Sequence, residues 1–168
     1  MGFLVLSRLA KKYAADHWTP YSFEAIYSEY RLGDNDVRLL KPLTMMNRSG
    51  LAVQAAVRDW QIPLHDLLIV CDDVNVPLGM LRLRAGGSAG GQHGLESCVE
   101  ALGTEHVPRL RCGIGRTPLP NDLTDFVLST FDRAERPQAD AMIARAVEAC
   151  EQWCTAGIEA TMNRVNVS

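Results

Sequence analysis

"LLIVCDDVNVPLGMLRLRAGGSAGGQHGLESCVEALG", residues 67–103, decides the fold class. Residues 67–71 are a short, continuous apolar run bounded by acids, as in a buried central strand. A Pro77-Leu78-Gly79 turn follows, and residues 80–84 read as a second, basic strand. A glycine-rich loop then leads into a helix over 94–102, closed by Gly103. Strand, strand, loop and helix in this order point to an α/β domain.

The chain on either side extends the pattern. Phe3, Leu6, Leu9, Ala10 and Tyr13 recur at helical spacing, so an opening helix is expected. Residues 22–31 and 36–40 flank a Gly33-Asp34-Asn35 turn and predict a β-hairpin. A helix is expected from about Arg48 to Trp60, stopped by Pro63. Residues 109–114 and 125–128 read as strands. Pro137 fits the first turn of a long helix ending at Gly157. The expectation is one three-layer α/β domain over 1–168, a mixed β-sheet flanked by helices. A domain of 168 residues buries enough surface to be stable without staples.

Composition excludes several classes. No apolar run is long enough to cross a membrane, and no signal peptide is recognisable, since Arg8, Lys11 and Lys12 follow the short apolar stretch 3–6 rather than precede it. A cytoplasmic location is expected. The five cysteines lack metal-ligand spacing and read as small buried hydrophobes, so no metal is expected. The net charge of −3 gives no bulk attraction to nucleic acid. Arg82, Arg84, Arg109, Arg111 and Arg116 nevertheless fall on strands around the glycine loop. They are either a local phosphate-holding face or an ordinary solvated strand face.

Three stretches invite chemical readings. Gly86-Gly87-Ser88-Ala89-Gly90 matches the G-x-S-x-G nucleophile elbow, but only His93 and His106 follow Ser88, and neither is placed as a triad histidine. The loop has neither the spacing nor the lysine of the common phosphate cradles, so its glycines are read as letting the backbone approach a ligand. Asp72 and Asp73 end the 67–71 strand, where open α/β sheets bind ligands. Successive side chains point to opposite faces, so one acid should face a cleft and the other a turn or solvent. Asn47 is either a helix N-cap or an amide offering donor and acceptor to a substrate. Met45 and Met46 are either core or a soft apolar wall beside it.

Together these stretches resemble the bacterial-type peptidyl-tRNA hydrolase family. "KPLTMMNRSG" (41–50) is similar to the family's K-P-x-T-[FY]-M-N-x-S-G, and 67–97 to its core signature, with "RLRCGIGR" (109–116) and "FVLSTF" (126–131) resembling two later motifs. The resemblance implies hydrolysis of the ester between a peptide and the terminal ribose of tRNA, recycling tRNA from aborted translation. It implies a monomer with no cofactor and no metal. It implies that Asp72 orients a general-base histidine, that Asn47 holds substrate and water, and that Met45 contacts the terminal nucleotide. Arg82, Arg84 and Arg111 match positions facing tRNA phosphates. His93 stands where the family usually has a substrate-binding asparagine, and is expected to line the cleft near Asn47. Met1-Gly2-Phe3 resembles the residues just after the family's R-H-N. The general-base histidine, the first central strand and a first asparagine are therefore expected to be missing from this chain. Activity of the chain is left open on that ground, and the alternative is a degenerate, non-catalytic RNA-binding relative.

Overall fold

The computed structural model describes residues 1–118 and 123–166. The chain opens in α1 (Gly2–Lys12), which buries Val5 and Leu9. The predicted hairpin is β2 (Ala25–Leu32) and β3 (Asn35–Pro42), joined through Gly33-Asp34, with a short β1 (Thr19–Tyr21) added on the other side of β2. A single 3-10 turn (Met46–Arg48) precedes α2 (Ser49–Asp59). β4 (Ile69–Pro77), β5 (Leu81–Arg84), α3 (His93–Leu102) and β6 (Arg109–Gly115) follow. Gly103, left-handed at φ 69°, closes α3 as its position predicts.

Among the described residues the strands form two three-stranded sheets rather than one: β1-β2-β3, all antiparallel, and β4-β6-β5. In the second sheet β4 runs parallel to β6 and β5 antiparallel to it. Register fixes two unlike faces. Val70, Leu110, Cys112, Leu81 and Leu83 share one face and pack with α1 and α5 (Arg136–Val165) in the core. The opposite face carries Cys71 and Asp73 of β4, Arg109 and Arg111 of β6, and Arg82 and Arg84 of β5. α2 and α3 pack on each other and against β3 and β4. The architecture is α/β, with one antiparallel and one mixed sheet flanked by helices.

Three local expectations change. β4 does not end at the acids but runs through Asp72 and Asp73 to Pro77, with a register shift after Asp73. Residues expected as a strand over 125–128 belong to a helix, α4 (Leu123–Leu128). Leu123, Phe126 and Val127 have the i, i+3, i+4 spacing of a helix face. Gly157 does not end α5. It kinks the helix at φ 80°, ψ 178°, and the chain continues helical to Val165. Thr161, fully buried, donates its hydroxyl to the Gly157 carbonyl at 2.7 Å.

Beyond the kink, Asn166 reaches the free side of β5. Its Oδ1 accepts from the Leu83 N–H at 2.9 Å and its Nδ2 donates to the Leu83 carbonyl at 3.0 Å. Four of the five cysteines are buried, and desolvation pushes the thiols of Cys71, Cys98 and Cys112 up to about 12. They are inert packing groups at neutral pH. Among the described residues, no helix is long and apolar enough to cross a membrane, and no group of His, Cys, Asp and Glu is placed to hold a metal ion.

Candidate functional site

The two adjacent acids are separated by the pleat of β4. Asp73 is turned to the arginine face, where its carboxylate accepts from Arg111 Nη1 at 2.6 Å, with both side chains nearly excluded from solvent. Its other oxygen accepts from the Asn75 N–H at 2.8 Å, which stabilises the turn out of the parallel ladder. Asp72 points to the other face. It lines a cavity of about 240 Å³, walled by Met1, Leu4 of α1, Ile114 and Arg116, and Phe126 and Val127 of α4. The carboxylate is 19% exposed and lies 3.6 Å from the Met1 nitrogen.

Arg116 closes the far wall of this cavity. It makes a two-pronged contact to Glu135, Nε to Oε1 at 2.6 Å and Nη2 to Oε2 at 2.5 Å, and stacks over the Phe126 ring at 5.0 Å. Those bonds hold the Glu135 carboxyl below the usual carboxylate range. Arg116 thus ties α4 to the start of α5 and is not a free cation in the cavity.

A second cluster lies outside that cavity. Asn47 sits in the 3-10 turn and is exposed; the residue before α2 is Arg48, so Asn47 is not its N-cap. Met45 is 75% exposed and Met46 47%, which removes core packing as the reason for Met45. Met46 packs on the start of α3: a Cβ at Gly94 would lie 2.6 Å from its sulfur. The same contact brings the 3-10 turn beside His93, the first residue of α3. His93 is 76% exposed, its Nδ1 3.5 Å from Glu96 Oε2, and it does not line the Asp72 cavity. Gln92 caps α3 by accepting from the Leu95 N–H at 2.6 Å. His17, His65 and His106 are exposed and also lie outside the cavity.

The arginines divide into two kinds. Arg82 and Arg84 project outward from β5 and, among the described residues, make no ion pair or side-chain hydrogen bond. Arg111 is spent on Asp73 and on the loop carbonyls of Ser88, at 2.8 Å, and Ala89, at 3.2 Å. Arg109 is 1% exposed and holds the carbonyls of Val107, Gly87, Ser88 and Glu105. Desolvation, then the neighbouring Arg111 charge, lowers its pKa. Among the described residues the Ser88 hydroxyl makes no hydrogen bond, to a histidine or to any other group, so no base is engaged to activate it as a nucleophile.

A family model described as Peptidyl-tRNA hydrolase matches residues 1–168. The chain belongs to that family. A relative from Rhodopirellula baltica, named peptidyl-tRNA hydrolase, is 38% identical over 168 residues, covering 100% of this chain and 88% of its own. One of the same name from Chlorobium phaeobacteroides is 48% identical over 130 residues, covering 77% and 69%. The crystal structure of peptidyl-tRNA hydrolase from Acinetobacter baumannii superposes with a TM-score of 0.89 at 30% identity, covering 98% of this chain and 83% of that one. A propanol complex of peptidyl-tRNA hydrolase matches at a TM-score of 0.90. Every one of these relatives is called a hydrolase, which leaves the non-catalytic alternative without support.

Two parts of the family site escaped the sequence reading. The apolar wall of the Asp72 cavity depends on α4, whose segment reads as a strand. The structural use of Arg109 and Arg111 was hidden behind their charge. One signal was present: strand alternation places Arg82, Arg84, Arg109 and Arg111 on one face, too many like charges for an open surface.

Proposed function

We propose that the chain hydrolyses the ester joining a peptide to the terminal ribose of tRNA, and that it does so in the cytoplasm, as a monomer, without metal or cofactor. The observation that carries this reading is the family match over residues 1–168. The geometry supplies parts suited to it. The Asp72 carboxylate, at the edge of a mostly apolar cavity, can orient a base and stabilise its charged form, the role of the acid in any Asp-His pair. Asn47 offers an amide donor and acceptor to the ester or to water. Exposed Met45 offers a polarisable surface to the terminal base, and Arg82 and Arg84 offer free cations to backbone phosphates. His93 is an exposed donor or acceptor that does not line the Asp72 cavity.

None of the four histidines of residues 1–168 lines the Asp72 cavity. General-base catalysis typically contributes ~10²–10⁴-fold. Turnover of an N-blocked aminoacyl-tRNA by a polypeptide of these 168 residues is expected to fall short of the Rhodopirellula relative by a factor of that order. Equal turnover would mean that another group activates the water.

A further inference from the structure

The glycine loop is held from beneath by side chains that take only its carbonyls. Gly87 and Ser88 accept from Arg109, Ser88 and Ala89 from Arg111, and Gly90 from Asn75 Nδ2 at 3.4 Å. In a planar trans peptide the C=O of one residue and the N–H of the next point opposite ways. Four consecutive inward carbonyls therefore turn the N–H groups of Ser88, Ala89, Gly90 and Gly91 outward. Among the described residues, none of those four N–H groups donates a hydrogen bond. Gly90 and Gly91 have φ of +61° and +80°, the left-handed conformations that let successive amides converge.

A second observation concerns charge. The Arg109 guanidinium is buried directly behind the loop; among the described residues its hydrogen-bond partners are all carbonyls and no carboxylate lies at ion-pair distance. Arg111 beside it is neutralised by Asp73. A buried cation normally finds a counter-ion, because leaving one uncompensated is costly. An anion seated on the outward amides would lie across the loop from this charge. Arg82 and Arg84, unpaired among the described residues and on the same sheet face, extend the positive field to solvent.

We propose that the amides of Ser88, Ala89, Gly90 and Gly91 form a phosphate-binding nest for the tRNA substrate, and that Arg109 is the positioning residue that keeps those amides outward. This rests on the tRNA reading above and adds a specific subsite to it. The nest recognises a phosphate group through neutral backbone donors, without base or sequence preference.

The test is a ¹H–¹⁵N titration of the labelled chain, first with inorganic phosphate and then with deacylated tRNA. The expected result is saturable movement of the four loop amides with both. Movement at Asn47 with tRNA but none in the loop overturns the nest and leaves the tRNA reading intact. Loop movement with inorganic phosphate alone makes the loop an anion site unrelated to substrate, which also overturns the proposal. No response to tRNA anywhere means that the functional reading itself fails. Ala89→Pro deletes one of the donors. It should weaken tRNA binding about 10-fold, the worth of one charge-assisted hydrogen bond. Because an amide releases no counter-ion, the slope of log affinity against log salt should stay unchanged. Arg84→Ala should reduce the magnitude of that slope by about 0.7–0.9. Unweakened binding by a folded Ala89→Pro chain overturns the proposal, and if that variant does not fold the titration decides alone.

Discussion

At the scale of single residues, Asp72 and Asp73 are chemically identical neighbours with different work. Asp73 balances Arg111 inside the protein, at 5% and 11% side-chain exposure. Removing one partner of such a pair leaves the other charge buried and uncompensated, typically at a cost of about 3–5 kcal/mol. Asp73→Ala should lower stability by that order in urea unfolding, and adding Arg111→Met should recover much of the loss. A cost below about 1 kcal/mol for the single variant would mean that Arg111 is held by the loop carbonyls alone. The opposed orientation of the two acids was legible from strand alternation. Alternation alone did not say which acid met the cavity, because the deciding partner, Arg111, lies 38 residues further along; only the family resemblance pointed to Asp72. Asn47 shows the same limit. Its position before a helix suggests a cap, but the intervening 3-10 turn moves the helix start past it.

Among the elements, those defined by local chemistry were legible. α1 follows its apolar spacing, α3 stops at a left-handed glycine, and the β2–β3 hairpin turns at Gly33-Asp34. Elements whose partners are distant were not. The polar second half of β4, with Asp72, Asp73 and Asn75, has poor strand propensity, yet β6 pairs with it and Arg111 neutralises Asp73. α5 was read too short because glycine usually stops a helix. Gly157, at φ 80° and ψ 178°, instead occupies a conformation essentially restricted to glycine. Gly157→Ala should cost about 1–3 kcal/mol, read as a lowered melting temperature. An unchanged melting temperature would mean that the kink relaxes into a straight helix at no penalty.

For the whole molecule, the α/β class and flanking helices emerge from the order of elements, whereas the division of strands between two sheets does not. Strand pairing is a long-range choice, and a strand's own residues record its burial but not its neighbour. The arginine face and the apolar face of the second sheet are two consequences of one alternation. One side carries the core, and the other carries the loop with its outward amides. The outer side of β5 has a further consequence. An unpaired strand edge is a template on which a second chain can add. At Leu83 the Asn166 side chain supplies the same donor and acceptor that a neighbouring backbone would. It behaves as a one-residue counterfeit strand, occupying the template without offering an edge of its own. Asn166→Leu should leave the Leu83 N–H and C=O vacant and promote self-association, seen as faster-sedimenting species that grow with protein concentration. A variant that stays at one sedimentation coefficient would show that the edge is guarded by something else. A single amide, delivered from the far end of a kinked helix, thus occupies the Leu83 backbone groups at the sheet's edge.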